Sequence, residues 1–139
     1  MPALGRFVGG CLISFPALLA VAAGGAIGAV ARHSLVQLTA PTLGEGFPVG
    51  HFLVNVSGSV LIGLLYTVLA ARVDTEVLRL FLLTGVLGAF TTYSAFALDT
   101  LSLLERGHLS TAFFYALGSV LACVGGCAVG VLVGRAAFS

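Results

Sequence analysis

The sequence predicts an all-α membrane protein of four transmembrane helices, the third of them broken near its middle. Three observations carry that prediction. Of the 139 residues, 59% are hydrophobic and 8% charged, with a mean hydropathy of +1.16, far outside the range of soluble globular chains. Residues 7–31, 50–71, 80–98 and 109–134 contain no Asp, Glu, Lys or Arg, and each stretch reaches the roughly 17–25 apolar residues that a spanning helix needs. The third stretch holds a glycine- and hydroxyl-rich run at membrane depth, residues 85–96 (Gly-Val-Leu-Gly-Ala-Phe-Thr-Thr-Tyr-Ser-Ala-Phe). Non-helical backbone survives there only where it lines a cavity or is buried in protein.

Charged residues gather between the apolar stretches, at Arg72, Asp74, Glu76 and Arg79 and again at Glu105 and Arg106. The expected organisation is a single four-helix transmembrane domain over 1–139, with spans at about 16–38, 50–71, 78–104 and 109–134 and a short N-terminal arm at 1–15. Little chain is left for an aqueous catalytic domain, so the expectation is not an enzyme, and no nucleic acid partner is expected.

The first span has to be told from a signal peptide. Arg6 precedes an apolar run that ends in small residues, which fits a secretory leader. The apolar character nevertheless continues through residues 24–31 without a polar cleavage region, and Pro16 suits the first turn of a helix. A retained span is the reading adopted. Orientation is less determined. The chain has no Lys, and its six cationic side chains are Arg6, Arg32, Arg72, Arg79, Arg106 and Arg135. With the N-terminus inside, four of them are cytoplasmic against Arg32 and Arg106 outside, a weak bias by the positive-inside rule. Charge alone leaves open an ordinary N-in protein and one that inserts both ways and pairs antiparallel.

The second span opens at Pro48, and Asn55 lies about a turn and a half inside it. An amide at that depth is costly unless paired, and it offers two donors and an acceptor. It either joins two helices through an interhelical hydrogen bond or turns its NH₂ toward a permeating ion. His51 falls near the interface, where a solvated imidazole is the ordinary state and a pH sensor the functional alternative.

In the third span, Gly85 and Gly88 lower helix propensity, and the hydroxyls of Thr91 and Thr92 can satisfy freed backbone groups. A break there would expose carbonyls, hard oxygen ligands that suit an alkali cation. Tyr93 and Phe96 share a helix face after the break. Their positive ring edges, aimed into a pathway, would receive a small anion without the fixed charge that would trap it. Asp99 follows on the same face, where it orients a donor, holds a cation or sits in water at the helix end.

The fourth span carries two stripes. Gly118, Ala122, Gly126, Gly130 and Gly134 recur every four residues, a face that lets backbones approach closely in lipid. Gly24 and Gly28 repeat the device in the first span, and Gly58 thins the second. Tyr115, Ser119, Cys123 and Cys127 form the second stripe. It is either a row of uncharged donors escorting an anion, or small buried cysteines beside a Ser and a Tyr that each satisfy a backbone carbonyl. Cys123, Cys127 and the isolated Cys11 read as structural: no His, Asp or Glu in that span completes a metal site.

Three of these segments, in order, resemble the signatures of the CrcB/Fluc fluoride channels. They are residues 24–32 (Gly-Gly-Ala-Ile-Gly-Ala-Val-Ala-Arg), residues 50–58 (Gly-His-Phe-Leu-Val-Asn-Val-Ser-Gly), and the run 85–96, which is similar to the family's Gly-Gly-x-Thr-Thr-Phe-Ser-Thr-Phe motif. The resemblance implies an antiparallel, dual-topology homodimer that exports fluoride passively across the cell inner membrane or plasma membrane. It also implies a central structural sodium ion, held by backbone carbonyls that fall on Gly88 and Thr91 by motif position. The pore-lining amide would be Asn55, the two rings Tyr93 and Phe96, and the serine between them Ser94. The family's polar track falls on Asp99, Tyr115, Ser119, Cys123 and Cys127, which favours the functional reading of that stripe.

The chain departs from the motif at Ala89, Ala95 and Tyr93, which stand where the family has Gly, Thr and Phe. Thiols at Cys123 and Cys127 are weaker donors than hydroxyls. Two other classes share parts of the pattern. A small multidrug-type cation exporter is also four-span but needs an acidic residue central to a span, and Asp99, the one candidate, lies near an end. A structural membrane assembly subunit would account for the glycine stripes but not for the polar run of the third span.

Overall fold

The computed structural model describes residues 14–39, 46–72 and 75–138; the expected arm, with Arg6 and Cys11, lies almost wholly outside them. The described residues form helices and no strands: α1 (Phe15–Thr39), α2 (Val49–Arg72), α3 (76–90), α4 (Tyr93–Glu105) and α5 (Leu109–Phe138). Helices α3 and α4 are consecutive parts of one 30-residue apolar segment, Glu76–Glu105, so four segments are long and apolar enough to cross a membrane.

Local chemistry sets the helix ends. Ser14 Oγ accepts the Ala17 N–H at 3.4 Å at the start of α1, and Pro16 occupies the first turn, where a missing N–H costs nothing. Pro48 precedes α2, and its carbonyl accepts the Phe52 N–H at 3.1 Å. Between α4 and α5 the chain turns through Gly107 at φ 79°. The His108 N–H reaches the Leu103 carbonyl at 2.9 Å and the Gly107 N–H the Leu104 carbonyl at 3.0 Å. That is a Schellman closure, and its left-handed position favours glycine.

Helix α3 is wound unusually. Its middle, Leu80–Leu87, is a π-helix, and the Gly88 N–H reaches back five residues to the Leu83 carbonyl. Such wide turns are rare and tend to mark functional sites. Here the wide turn lies against α1, where Gly85 and Gly24 touch backbone to backbone. The sequence signalled weakened helix in this region but not this winding.

Two helix pairs make the body: α1 packs on α3, and α2 on α5. Glycine makes both contacts close. A Cβ on Gly24 or Gly28 would collide with the Phe81 or Val86 carbonyl. On the other pair, a Cβ on Gly63 would strike the Cys127 carbonyl, on Gly130 the Val60 carbonyl, and on Gly134 the Thr67 side chain. The lower part of the small-residue stripe is therefore used inside the chain. Gly118, at its upper end, meets nothing within 4 Å, because steps of four residues drift by roughly 40° on a 3.6-residue helix. Few side chains are fully enclosed. Leu103, Ala112 and Tyr115 form a small core against Phe47, Phe52 and Phe96, while Leu18, Ile27, Val30, Leu121, Val124 and Leu132 point outward, as helices apolar on all sides do in lipid.

Gly130→Leu is expected to wedge α5 from the Val60 carbonyl and to cost about 1–3 kcal/mol or more, the scale of overpacking. Chemical denaturation in detergent, read by helical circular dichroism, checks this against Gly118→Leu, which has open space and should change stability little.

Candidate functional site

The site is built around an interruption of the helical backbone. Helix α3 stops at Phe90; Thr91 (φ −77°, ψ 158°) and Thr92 (φ −151°, ψ 116°) are extended, and α4 begins at Tyr93. The polar groups of Thr91 and Thr92 find specific partners at this junction. The Thr91 N–H and hydroxyl both donate to the Leu87 carbonyl, each at 3.1 Å. The Thr92 N–H donates to Asn55 Oδ1 at 2.7 Å, and Asn55 Nδ2 donates back to the Thr92 carbonyl at 3.0 Å. The Thr92 hydroxyl caps α4 by accepting the Ala95 N–H at 3.2 Å, as N-cap side chains do.

These diversions release two carbonyls. In an unbroken helix the Thr92 N–H would serve the Gly88 carbonyl and the Ala95 N–H the Thr91 carbonyl. Both donors are taken instead by side-chain oxygens, Asn55 Oδ1 and Thr92 Oγ1. Gly88 and Thr91 thus present oxygens without their helical donors, on either side of one turn.

Beside the junction lies a cavity of about 310 Å³, lined chiefly by Asn55, Thr91, Tyr93, Phe96, Ser119 and Cys123. None of its lining residues carries a charge. Ser119 is 4% exposed, and its hydroxyl has no hydrogen-bond partner among the described residues, which leaves it available to a guest. Thr92, Gly58, Ser59, Ile62 and Val120 complete the lining. Of these, Thr92 was legible as half of the Thr pair. A Cβ on Gly58 would run into Thr91 Cγ2, so that glycine holds the junction against α2.

Aromatic rings lead away from the cavity. The Tyr93 and Phe96 ring centroids are 5.5 Å apart, and Phe96 and Tyr115 5.4 Å apart, both pairs tilted. Tyr93 is 79% exposed whereas Tyr115 is fully buried. The Tyr115 hydroxyl donates to Asp99 Oδ2 at 3.2 Å, and His51 Nδ1 lies 2.6 Å from the same oxygen. Asp99 therefore sits in a hydrogen-bonded cluster, one ring beyond Phe96.

The sequence-predicted residues divide accordingly. Asn55, Thr91, Tyr93, Phe96, Ser119 and Cys123 meet at one cavity. Ser94 faces a second, more polar cavity of about 450 Å³ with Arg32, His33 and His51. Gly88, Asp99, Tyr115 and Cys127 line neither cavity. The Cys127 backbone carbonyl lies against Gly63. Cys123 and Cys127 are free thiols. Arg32 and His33 were not among the expected site residues, whereas His51 was weighed as a solvated imidazole or a pH sensor. An Arg-His pair directly after one apolar stretch was the signal that could have found the first two.

Four apolar spanning segments, three of which line an uncharged cavity, define a small multi-pass membrane protein. The family model for "CrcB-like protein, Camphor Resistance (CrcB)" matches residues 19–131, and the chain belongs to that family. Among its relatives, "Fluoride-specific ion channel FluC" of Paracoccus denitrificans is 49% identical over 121 residues, covering 87% of this chain and 96% of its own. "Fluoride-specific ion channel FluC 2" of Nitrobacter hamburgensis is 48% identical over 84% of this chain and 95% of its own. The Agrobacterium fabrum protein of the same name is 45% identical, over 85% of this chain and 95% of its own. These names describe transporters rather than enzymes.

Asn55→Ala leaves the backbone N–H of Thr92, itself 7% exposed, without its acceptor, at an expected cost of about 1–3 kcal/mol. Thermal unfolding followed by gel filtration measures the loss. Asn55→Asp keeps the acceptor and should retain part of the stability.

Proposed function

We propose that this chain is a passive fluoride-selective channel that exports fluoride across the cell's inner or plasma membrane. The observation that carries the reading is the uncharged cavity, where an amide, two aromatic rings and an unpartnered hydroxyl converge beside a broken helix. The names of the relatives, which align over nearly their whole length, support fluoride as the ion.

Moving a bare ion into a low-dielectric core costs tens of kcal/mol by Born estimates. A string of weak sites offsets that cost in stages. Asn55 uses one N–H on the Thr92 carbonyl and has a second for the ion. Tyr93 and Phe96 supply ring edges, and Ser119, Ser94 and Cys123 supply donors. Sites that are each weak admit the ion and also release it. Tyr115 and Asp99 continue the line past Phe96, and Cys127 extends it along α5. A fixed cation in the narrow part would hold fluoride too long, and the cavity lining has none.

The broken stretch, on this reading, lies at mid-membrane, and the working unit is an antiparallel, dual-topology homodimer. A single chain leaves the cavity open and Tyr93 exposed, which a second copy would cover. The freed carbonyls of Gly88 and Thr91 fit a hard cation such as sodium. Two oxygens are fewer than such an ion takes, so a matching pair from a second copy would complete the set. When bound, the ion would add a structural positive charge near the dimer centre.

Fluoride efflux from proteoliposomes tests the function. Expected is efflux well above that of chloride, with Phe96→Ile slowing it about ten-fold, the effect of roughly 1.4 kcal/mol on a barrier. Unchanged flux in the variant removes the ring-edge role, and equal fluoride and chloride flux removes the function. For the assembly, paired-cysteine cross-links are expected to join chains of opposite orientation. Replacing sodium by N-methylglucamine is expected to lower the dimer's melting temperature by mass action. A monomer whose melting ignores sodium would exclude both features.

A further inference from the structure

We propose that His51 is a positioning residue of the anion route: it holds Asp99 in place and carries the proton that cancels its charge. This rests on the fluoride reading above and goes beyond it, by assigning a pH dependence to one imidazole.

A carboxylate beside an anion path is an electrostatic obstacle, and Asp99 lies one ring beyond Phe96. Its Oδ2 takes the Tyr115 hydroxyl at 3.2 Å and stands 2.6 Å from His51 Nδ1. The His51 and Asp99 side chains are 26% and 21% exposed. His51 also lines the 450 Å³ polar cavity, whereas Asp99 does not. The imidazole therefore connects the carboxylate to the open side of the protein, the direction from which a proton arrives.

One proton decides the charge of the pair. With it, His51 and Asp99 sum to zero, whichever atom holds it; without it, a full negative charge faces the incoming anion. Histidine is the side chain whose charge ordinarily changes between pH 5 and 8. The other titratable groups facing His51 are Arg32 and His33 of α1, across the cavity, and Tyr115 of α5, through the shared carboxylate oxygen. Arg32 stays charged throughout this range, and Tyr115 donates its hydroxyl to Asp99. His33 is the competing switch, and the test separates the two histidines.

The sign follows directly. Adding the proton removes the repulsion, so fluoride flux rises as pH falls. A unit charge at roughly 10 Å in an effective dielectric of about 20 changes the rate on the order of ten-fold.

The test is fluoride efflux from liposomes at about pH 8 and about pH 6, with the leak of protein-free vesicles subtracted at each pH. The purified protein is expected to conduct on the order of ten-fold faster at the lower pH. His51→Gln should lose that dependence and His33→Gln should keep it. Asp99→Asn should conduct at about pH 8 as fast as the unmodified protein does at about pH 6, because its pair is already neutral there without the proton. Persistence of the slope in His51→Gln overturns the proposal. So does robust flux that is independent of pH in the unmodified protein, which leaves the fluoride reading standing. No flux above empty vesicles at either pH overturns the fluoride reading, and this inference with it. If His51→Gln fails to run as a single species on gel filtration, Asp99→Asn decides: flux at the higher pH no faster than that of the unmodified protein overturns the proposal.

Discussion

The two-way hydrogen bond between the Asn55 amide and the Thr92 backbone is the interaction on which the rest of the site depends. A helix interrupted among apolar segments leaves donors and acceptors that lipid cannot satisfy. Asn55 Oδ1 takes the Thr92 N–H and Nδ2 serves the Thr92 carbonyl, so one side chain of α2 meets both demands of an extended residue between α3 and α4. Because the Thr92 donor is diverted, the Gly88 carbonyl is released. Because the Thr92 hydroxyl caps α4, the Thr91 carbonyl is released as well. The same clamp fixes the direction in which α4 leaves the junction, and with it the positions of Tyr93, Phe96 and Asp99.

Glycine packing makes that clamp geometrically attainable. Asn55 reaches Thr92 because α2 comes close to the junction at Gly58, where a Cβ would strike the Thr91 methyl. Helix α5 is held on α2 through Gly63, Gly130 and Gly134, which brings Ser119 and Cys123 to the opposite wall of the cavity. The π-wound part of α3 lies on α1 at Gly24 and Gly85. In lipid no hydrophobic drive joins helices, so close van der Waals contact and buried hydrogen bonds must do so. The glycines supply the first and Asn55 the second.

The charge arrangement follows the same logic of local cancellation. The central cavity has no ionised lining residue, while Arg32 and the two histidines gather at the more polar cavity. Asp99, the acidic residue nearest the rings, is not bare: the Tyr115 hydroxyl and the His51 imidazole, from two other helices, converge on one of its oxygens. A neutral cavity thus lies beside a more polar one that carries Arg32.

Residue order alone determined the spans, because lipid demands about twenty apolar residues wherever backbone crosses it. It also determined the weak point at residues 85–92, since glycine and threonine there oppose a continuous helix, and the hydroxyl-capped junction at Thr91 and Thr92 lies inside that window. Along the fourth span, four-residue spacing identified stripes but not where they end. The drift of roughly 40° per step leaves Gly118 open while Gly130 and Gly134 meet α2, and that can be located only once a neighbouring helix is in place. The pairings themselves belong to the tertiary structure. Asn55 meets Thr92 across 37 residues and His51 meets Asp99 across 48, separations over which no periodicity carries information. Which donor loses its helical acceptor, and which carboxylate gains a compensating partner, is decided by how closely glycine lets the helices approach.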